Sequence, residues 1–208
     1  MDFQTTLFEA PEAAETSLVA GLAGLERRVL GHGAWLDVQR SWLPAPDDVF
    51  ETLVREVPWR AERRQMYDRV VDVPRLLHTY MIGEPLPHPM LTEAREALSA
   101  HYADELGEPF RTAGCCYYRD GRDSVAWHGD TIGRGSTHDT MVAIVSLGDP
   151  RRLHLRPRSG GEAVVVEMGH GDIVVMGGSC QRTWEHAVPK VAHAGPRISV
   201  QYRPLNVF

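Results

Sequence analysis

Hydrophobic and polar positions keep one rhythm in the first half of this 208-residue chain and another in the second. From Trp35 to Leu43 apolar and polar residues alternate at the two-residue period of a strand, and Pro44 to Pro46 close the run. Asp47 and Asp48 then read as caps of a helix over 49–57. A second helix is expected over 89–106, where Leu91, Ala94, Leu98 and Tyr102 recur at helical spacing between an opening proline and Gly107. Between these helices, residues 59–75 carry five arginines against three acids and read as a polar, partner-facing loop. After Arg111 short β-branched or aromatic runs recur between turn residues: 112–118, 124–128, 140–147, 152–156, 163–167, 172–176, 183–188 and 198–202. Strands of that length at that spacing predict a sandwich or barrel. With helices confined to the first half, the fold class is α+β: a double-stranded β-helix (jelly-roll) core buttressed by N-terminal helices. A dinucleotide-binding fold is excluded, because no strand opens a glycine-rich turn into a helix.

The expected organisation is an N-terminal segment, 1–33, loosely attached; a helical buttress, 34–110; and the jelly-roll core, 111–208, the last two forming one integrated domain. No apolar run approaches the roughly 18 to 20 residues that span a bilayer, and the acidic start lacks the layout of a signal peptide. A soluble, cytoplasmic protein with no membrane partner is expected. Cys115, Cys116 and Cys180 have neither disulfide-framework nor zinc-ligand spacing and read as reduced thiols.

A net charge of −6 argues against a protein that coats nucleic acid non-specifically. The charge is uneven, however: residues 58–75 and 119–158 each sum to +2. Only Lys190 among the 22 basic residues is a lysine, and arginine offers the planar fork that suits carboxylates and phosphates.

Trp127-His128-Gly129-Asp130 places an imidazole and a carboxylate two residues apart, on one side of an extended segment. His186 follows 58 residues later, about the length in which a jelly roll returns beside its starting strand. Two histidines and a carboxylate make the facial triad that leaves positions open on Fe(II), and Arg197 on a following strand could fork onto a 2-oxo acid's distal carboxylate. His170 and Asp172 repeat the spacing but read as a turn entering the next strand, and the remaining histidines have no partner at ligand spacing.

The run from Tyr118 to Asp130, followed by Ser146-Leu147-Gly148, Arg151-Arg152, residues 169–172, Trp184-Glu185-His186 and Pro196-Arg197 to Arg203, resembles the AlkB family of Fe(II)/2-oxoglutarate dioxygenases, in the branch that repairs alkylated nucleic acid. The match covers about residues 58–204. The resemblance implies Fe(II), with 2-oxoglutarate and O2 as co-substrates. It implies iron ligands His128, Asp130 and His186, and co-substrate contacts from Tyr118, Arg197, Ser199 and Arg203. It makes the arginine-rich stretch and residues 73–80 a nucleotide-recognition lid, with Tyr80 a candidate to stack on a flipped base. Arg75, Trp127 and Thr131 are the other candidate substrate contacts. The chain departs from the family at Cys116, Ser199 and Gln201, where relatives carry amides or hydroxyls, and at Thr131, where repair enzymes often carry an acid.

The expected activity is oxidative demethylation of N-alkylated bases in DNA or RNA, by a monomer with no obligate protein partner. Two rivals stand beside it: the same chemistry on a protein or small metabolite, and a non-catalytic jelly-roll binding module.

Overall fold

A computed structural model of the protein describes residues 21–66 and 69–207. Twelve strands form two antiparallel sheets. The larger has the order β1 (Glu26–Gly31), β2 (Ala34–Gln39), β10 (Ile173–Gly178), β7 (Val142–Gly148), β12 (Arg197–Arg203), β5 (Thr112–Tyr118), β4 (Arg69–Tyr80), β3 (Arg60–Met66). The smaller is ordered β6 (Val125–His128), β11 (Trp184–Val188), β8 (Arg151–Pro157), β9 (Val164–Met168). The eight strands expected after Arg111 are all present, with ends shifted by one or two residues.

The alternation within each large-sheet strand separates two apolar layers. Cys115, Val145, Val175 and Val200 face helices α1 (Pro46–Glu56) and α2 (Pro89–His101), meeting Val49, Leu53, Leu91 and Leu98. Their neighbours Cys116, Ile144, Val174 and Tyr118 face Leu153, Leu155, Val166 and Trp184 of the smaller sheet. Each fully buried leucine or valine contributes about 1.5–3 kcal/mol by area removed from water. The site lies in this second layer, between the sheets.

Four expectations need correction. The first helix starts at Pro46, so Asp47 and Asp48 occupy its first turn as acids facing the helix dipole and do not cap it. The second ends at His101, where Tyr102 leaves helical geometry to donate its hydroxyl to buried Asp37 at 2.8 Å; Ala103–Leu106 form a separate turn, α3. Residues 59–75 are not a loop: most belong to the hairpin of β3 and β4, which extends the large sheet. The polar pattern hid these strands because nothing apolar covers the outer one; Ala61, Glu62 and Arg63 are all exposed. Finally, part of 1–33 is firmly attached, since β1 pairs along β2 and Arg27 bridges Asp37 and Glu105 at 2.7 and 2.8 Å. Residues 1–20 of that segment lie outside the described residues.

Candidate metal and co-substrate site

Strand pairing brings the distant histidines together. His128 closes β6, His186 sits mid-β11, and the two are direct cross-strand partners, with ring centroids 4.2 Å apart. Asp130 lies just beyond the end of β6, its carboxylate 3.6 Å from His128 Nε2. One ligand atom from each of the three residues lies within 4.8 Å of the others.

Local contacts set the orientation of each group. The Nδ1 of His128 faces the carbonyls of Ala126 and His186 at 2.9 and 3.1 Å, so this nitrogen donates its N–H to them and the lone pair of Nε2 is left free to ligate. The backbone N–H of Asp130 donates to Gln181 Oε1 at 2.9 Å, and Arg203 Nε donates to Asp130 Oδ2 at 2.7 Å. Gly129 between the ligands cannot be replaced in place: a Cβ there would lie 2.4 Å from the Gln181 carbonyl oxygen.

The electrostatics prepare a cation site. Burial alone would raise the Asp130 carboxyl, but Arg203 and the two imidazoles hold it down at about 2, so it is charged. Burial, reinforced by His128, lowers His186 to about 3, which keeps its imidazole neutral and able to ligate.

The triad forms part of the wall of a cavity of about 410 Å³, a size suited to a small molecule. Beyond it, one cross-strand row of the large sheet runs from Arg75 through Tyr118 to Arg197, and the next from Leu77 through Cys116 to Ser199 and Ser146. Arg197 is buried, donates from Nε to Ser146 Oγ at 3.0 Å, and has Nη1 enclosed without a hydrogen-bond partner. Its guanidinium carbon lies 5.1 Å from the centroid of the Tyr118 ring. A buried cation with an unsatisfied N–H on a cavity matches the distal carboxylate of 2-oxoglutarate, and two imidazoles with one carboxylate match Fe(II). The residues therefore fit both groups.

The expected candidates divide. His128, Asp130, His186, Tyr118, Arg197, Ser199, Arg203, Arg75 and Thr131 all line the cavity. Arg203 differs from expectation in spending its Nε on Asp130, which makes it a neighbour of the metal ligand. Trp127 and Tyr80 are not among the lining residues. Trp127 alternates away from His128 onto the outer face, where Arg156 covers its ring at 4.2 Å. Tyr80 packs on the helix-side layer with His78 against its ring at 4.5 Å, so the stacking place proposed for it is on the wrong face of β4.

Some contributors escaped the reading of the sequence. Gln181 carries no spacing signal, and neither does Ile132, a 70% exposed apolar residue at the cavity. Ser146 lies in a motif already noted, but its tie to Arg197 depends on the pairing of β7 with β12.

Among known proteins, the model of the 2OG-Fe(II) oxygenase superfamily matches residues 44–203. The chain is 32% identical to the bovine (Bos taurus) alpha-ketoglutarate-dependent dioxygenase alkB homolog 3, over 77% of this chain and 62% of that protein. It is 25% identical to the Arabidopsis thaliana DNA oxidative demethylase ALKBH2, over 84% of this chain and 67% of that one. The chain thus spans less than two thirds of the length of the alkB homolog 3 proteins it matches. Among solved structures, OsALKBH1 superposes with a TM-score of 0.56 at 14% identity, covering 86% of this chain and 99% of that one, a likeness of fold.

Proposed function

The chain belongs to the 2OG-Fe(II) oxygenase superfamily, and on that footing we propose that it is an AlkB-type enzyme that oxidatively demethylates N-alkylated bases of DNA or RNA. The observation that carries this reading is the triad of His128, Asp130 and His186 on a cavity that also holds the unsatisfied guanidinium of Arg197. What relatives are named for supports the substrate class: the Arabidopsis protein is a DNA oxidative demethylase.

In this reading His128, Asp130 and His186 would hold Fe(II), which with O2 and 2-oxoglutarate would supply the oxidising power to hydroxylate a C–H bond, with succinate and CO2 as the co-substrate's products. Arg197 fixes the distal carboxylate, steadied by Ser146, and Tyr118 bounds that end of the cavity. Arg203 keeps Asp130 in place and charged. Thr131 and Ile132 border the other side, where an extruded base would enter. The hairpin of β3 and β4 brings Arg60 and Arg63 to the surface near Arg75 and Glu62 of the cavity wall, which suits contact with phosphates. An N-methyl group hydroxylated at its carbon becomes N–CH2OH, which releases formaldehyde as the N–C bond breaks and the hydroxyl proton passes to the nitrogen.

The test is 2-oxoglutarate turnover across N-methylated single-stranded DNA, duplex DNA and RNA, with Asp130→Ala as control. Stimulation by at least one methylated strand and none by its unmethylated counterpart is expected. Turnover that stays at the uncoupled rate with every strand would contradict the reading. The protein functions in this proposal as a monomer in the cytoplasm; among the described residues no helix is long and apolar enough to cross a membrane.

A further inference from the structure

Arg151 opens β8 and is only 3% exposed, yet among the described residues it makes no ion pair with a carboxylate. The nearby Asp123 is taken by Arg119 through three hydrogen bonds, one from its backbone N–H and two from its guanidinium, and Asp149 accepts from the Gly195 backbone. Arg151 instead spends its fork on the main chain: Nη1 donates to the Asp120 carbonyl at 3.3 Å, and Nη2 to the carbonyls of Asp123 and Pro189 at 2.9 and 2.6 Å. Its Nε is buried without a partner. Burying a guanidinium in this way is costly, and an apolar side chain would fill the space without desolvating a charge.

The three carbonyls explain the placement. Asp120 and Asp123 belong to the loop that leaves Tyr118 at the end of β5 and returns as β6 with His128. Pro189 follows β11, the strand of His186. β6 is a four-residue edge strand that pairs with β11 at only two positions, His128 with His186 and Val125 with Val188, and the register shifts between them. Such a short, irregular pair does not fix its own alignment well. Arg151 binds the chain two residues before Val125 and one residue after Val188, so it sutures both strands at the end opposite the candidate metal ligands. The loop tip is held separately, where the Val191 N–H donates to the Gly121 carbonyl at 2.8 Å. The same guanidinium carbon stands 5.6 Å from the Tyr118 ring centroid, against 5.1 Å for Arg197.

We propose that Arg151 is a positioning residue for the metal and co-substrate site, one guanidinium joining the loop after Tyr118 and the turn after His186's strand so that Tyr118, His128 and His186 keep their mutual register. It does not line the cavity, and it acts through the strands that do. The inference rests on the Fe(II)/2-oxoglutarate reading of the cavity, not on the nature of the oxidised substrate.

The test uses the full chain without nucleic acid. Mn(II) is titrated into the metal-free protein, the KM for 2-oxoglutarate is taken from uncoupled succinate release with Fe(II), and amide hydrogen exchange is followed at residues 119–124. In Arg151→Gln the expected results are an approximately tenfold loss of Mn(II) affinity, the size usual for groups that orient ligands, a raised KM, and faster exchange at 119–124. Arg151→Lys, which keeps the charge but loses the planar fork, should recover only part of each. A folded Arg151→Gln with wild-type Mn(II) affinity and wild-type KM overturns the proposal. If that variant does not fold, Arg151→Lys decides: unchanged affinity and KM overturn the proposal, and a shift in both supports it. A wild-type protein that binds neither Mn(II) nor 2-oxoglutarate overturns both this and the function proposed above, whereas failure of methylated strands alone overturns only the demethylase reading.

Discussion

At the scale of single residues, the site depends on groups that hold the ligands as much as on the ligands. Gln181 fixes the backbone of Asp130, so Gln181→Leu should weaken Mn(II) binding about tenfold with little change in fold, as read by calorimetric titration and circular dichroism. A titration with wild-type affinity would show that Asp130 needs no such support. The pH dependence of the metal-free protein follows from His186. Its folded-state imidazole sits at about 3, below the roughly 6.5 of an unfolded chain, so between these values the unfolded state binds more protons and stability falls as pH falls. The expected slope from this group is at most about 1.4 kcal/mol per pH unit, beginning below about pH 6.5. Asp130 adds its own loss only below about pH 4, because its carboxyl is depressed to about 2. Urea unfolding from pH 7 to 5 checks this, and His186→Asn should flatten the curve. An equally steep curve in that variant would place the effect elsewhere.

At the scale of elements, β4 is where sequence and structure part most usefully. Arg75, Leu77 and Thr79 of this strand line the cavity, which His78 also borders, and Tyr80 packs on the helix-side layer. An aromatic near a recognition segment invites a stacking role, but parity along the strand decides the face, and parity is set by the pairing of Leu77 with Cys116. Tyr80→Ala should therefore lower the melting temperature, with the loss of half-buried packing, and leave the KM for a methylated strand unchanged. A raised KM at unchanged stability would reverse that assignment. The hairpin itself was illegible for a related reason. Strand patterns are read from apolar alternation, and Arg60 to Arg63 have no core beneath them to impose one. By contrast, the strands after Arg111 lie between two apolar layers or over one, and their alternation was plain. If the hairpin arginines meet phosphates, replacing Arg60 and Arg63 by Gln should weaken strand binding and reduce its salt slope by about one to two. Binding with the same salt slope would remove the hairpin from the nucleic-acid interface.

At the scale of the whole molecule, the sheet topology brings residues 58 positions apart into direct register and places three arginines of an acidic protein on one cavity. The net charge of −6 is thus a poor guide to the site, since Arg75, Arg197 and Arg203 line it beside only Glu62 and Asp130, while acids such as Asp47 and Asp48 lie on the helix side. The triad was legible from spacing because β pairing constrains what a His-x-Asp and a distant histidine can share. Gln181 and the clasp of Arg151 were not, because both act on backbone groups whose proximity exists only in the folded chain. Metal should also report on the fold as a unit: the three candidate ligands come from β6, its following loop and β11, so saturating Mn(II) should raise the melting temperature and a chelator should reverse it. The absence of any shift would mean that these groups do not hold a cation.

The measurement that bears most directly on the proposed activity is the stoichiometry of product release on a single-stranded oligonucleotide bearing one N-methylated base, with formaldehyde, succinate and the repaired base quantified together. About one formaldehyde per succinate is expected, with all three products lost in Asp130→Ala. Succinate formed without formaldehyde and without repaired base, at the same rate on methylated and unmethylated strands, would contradict it.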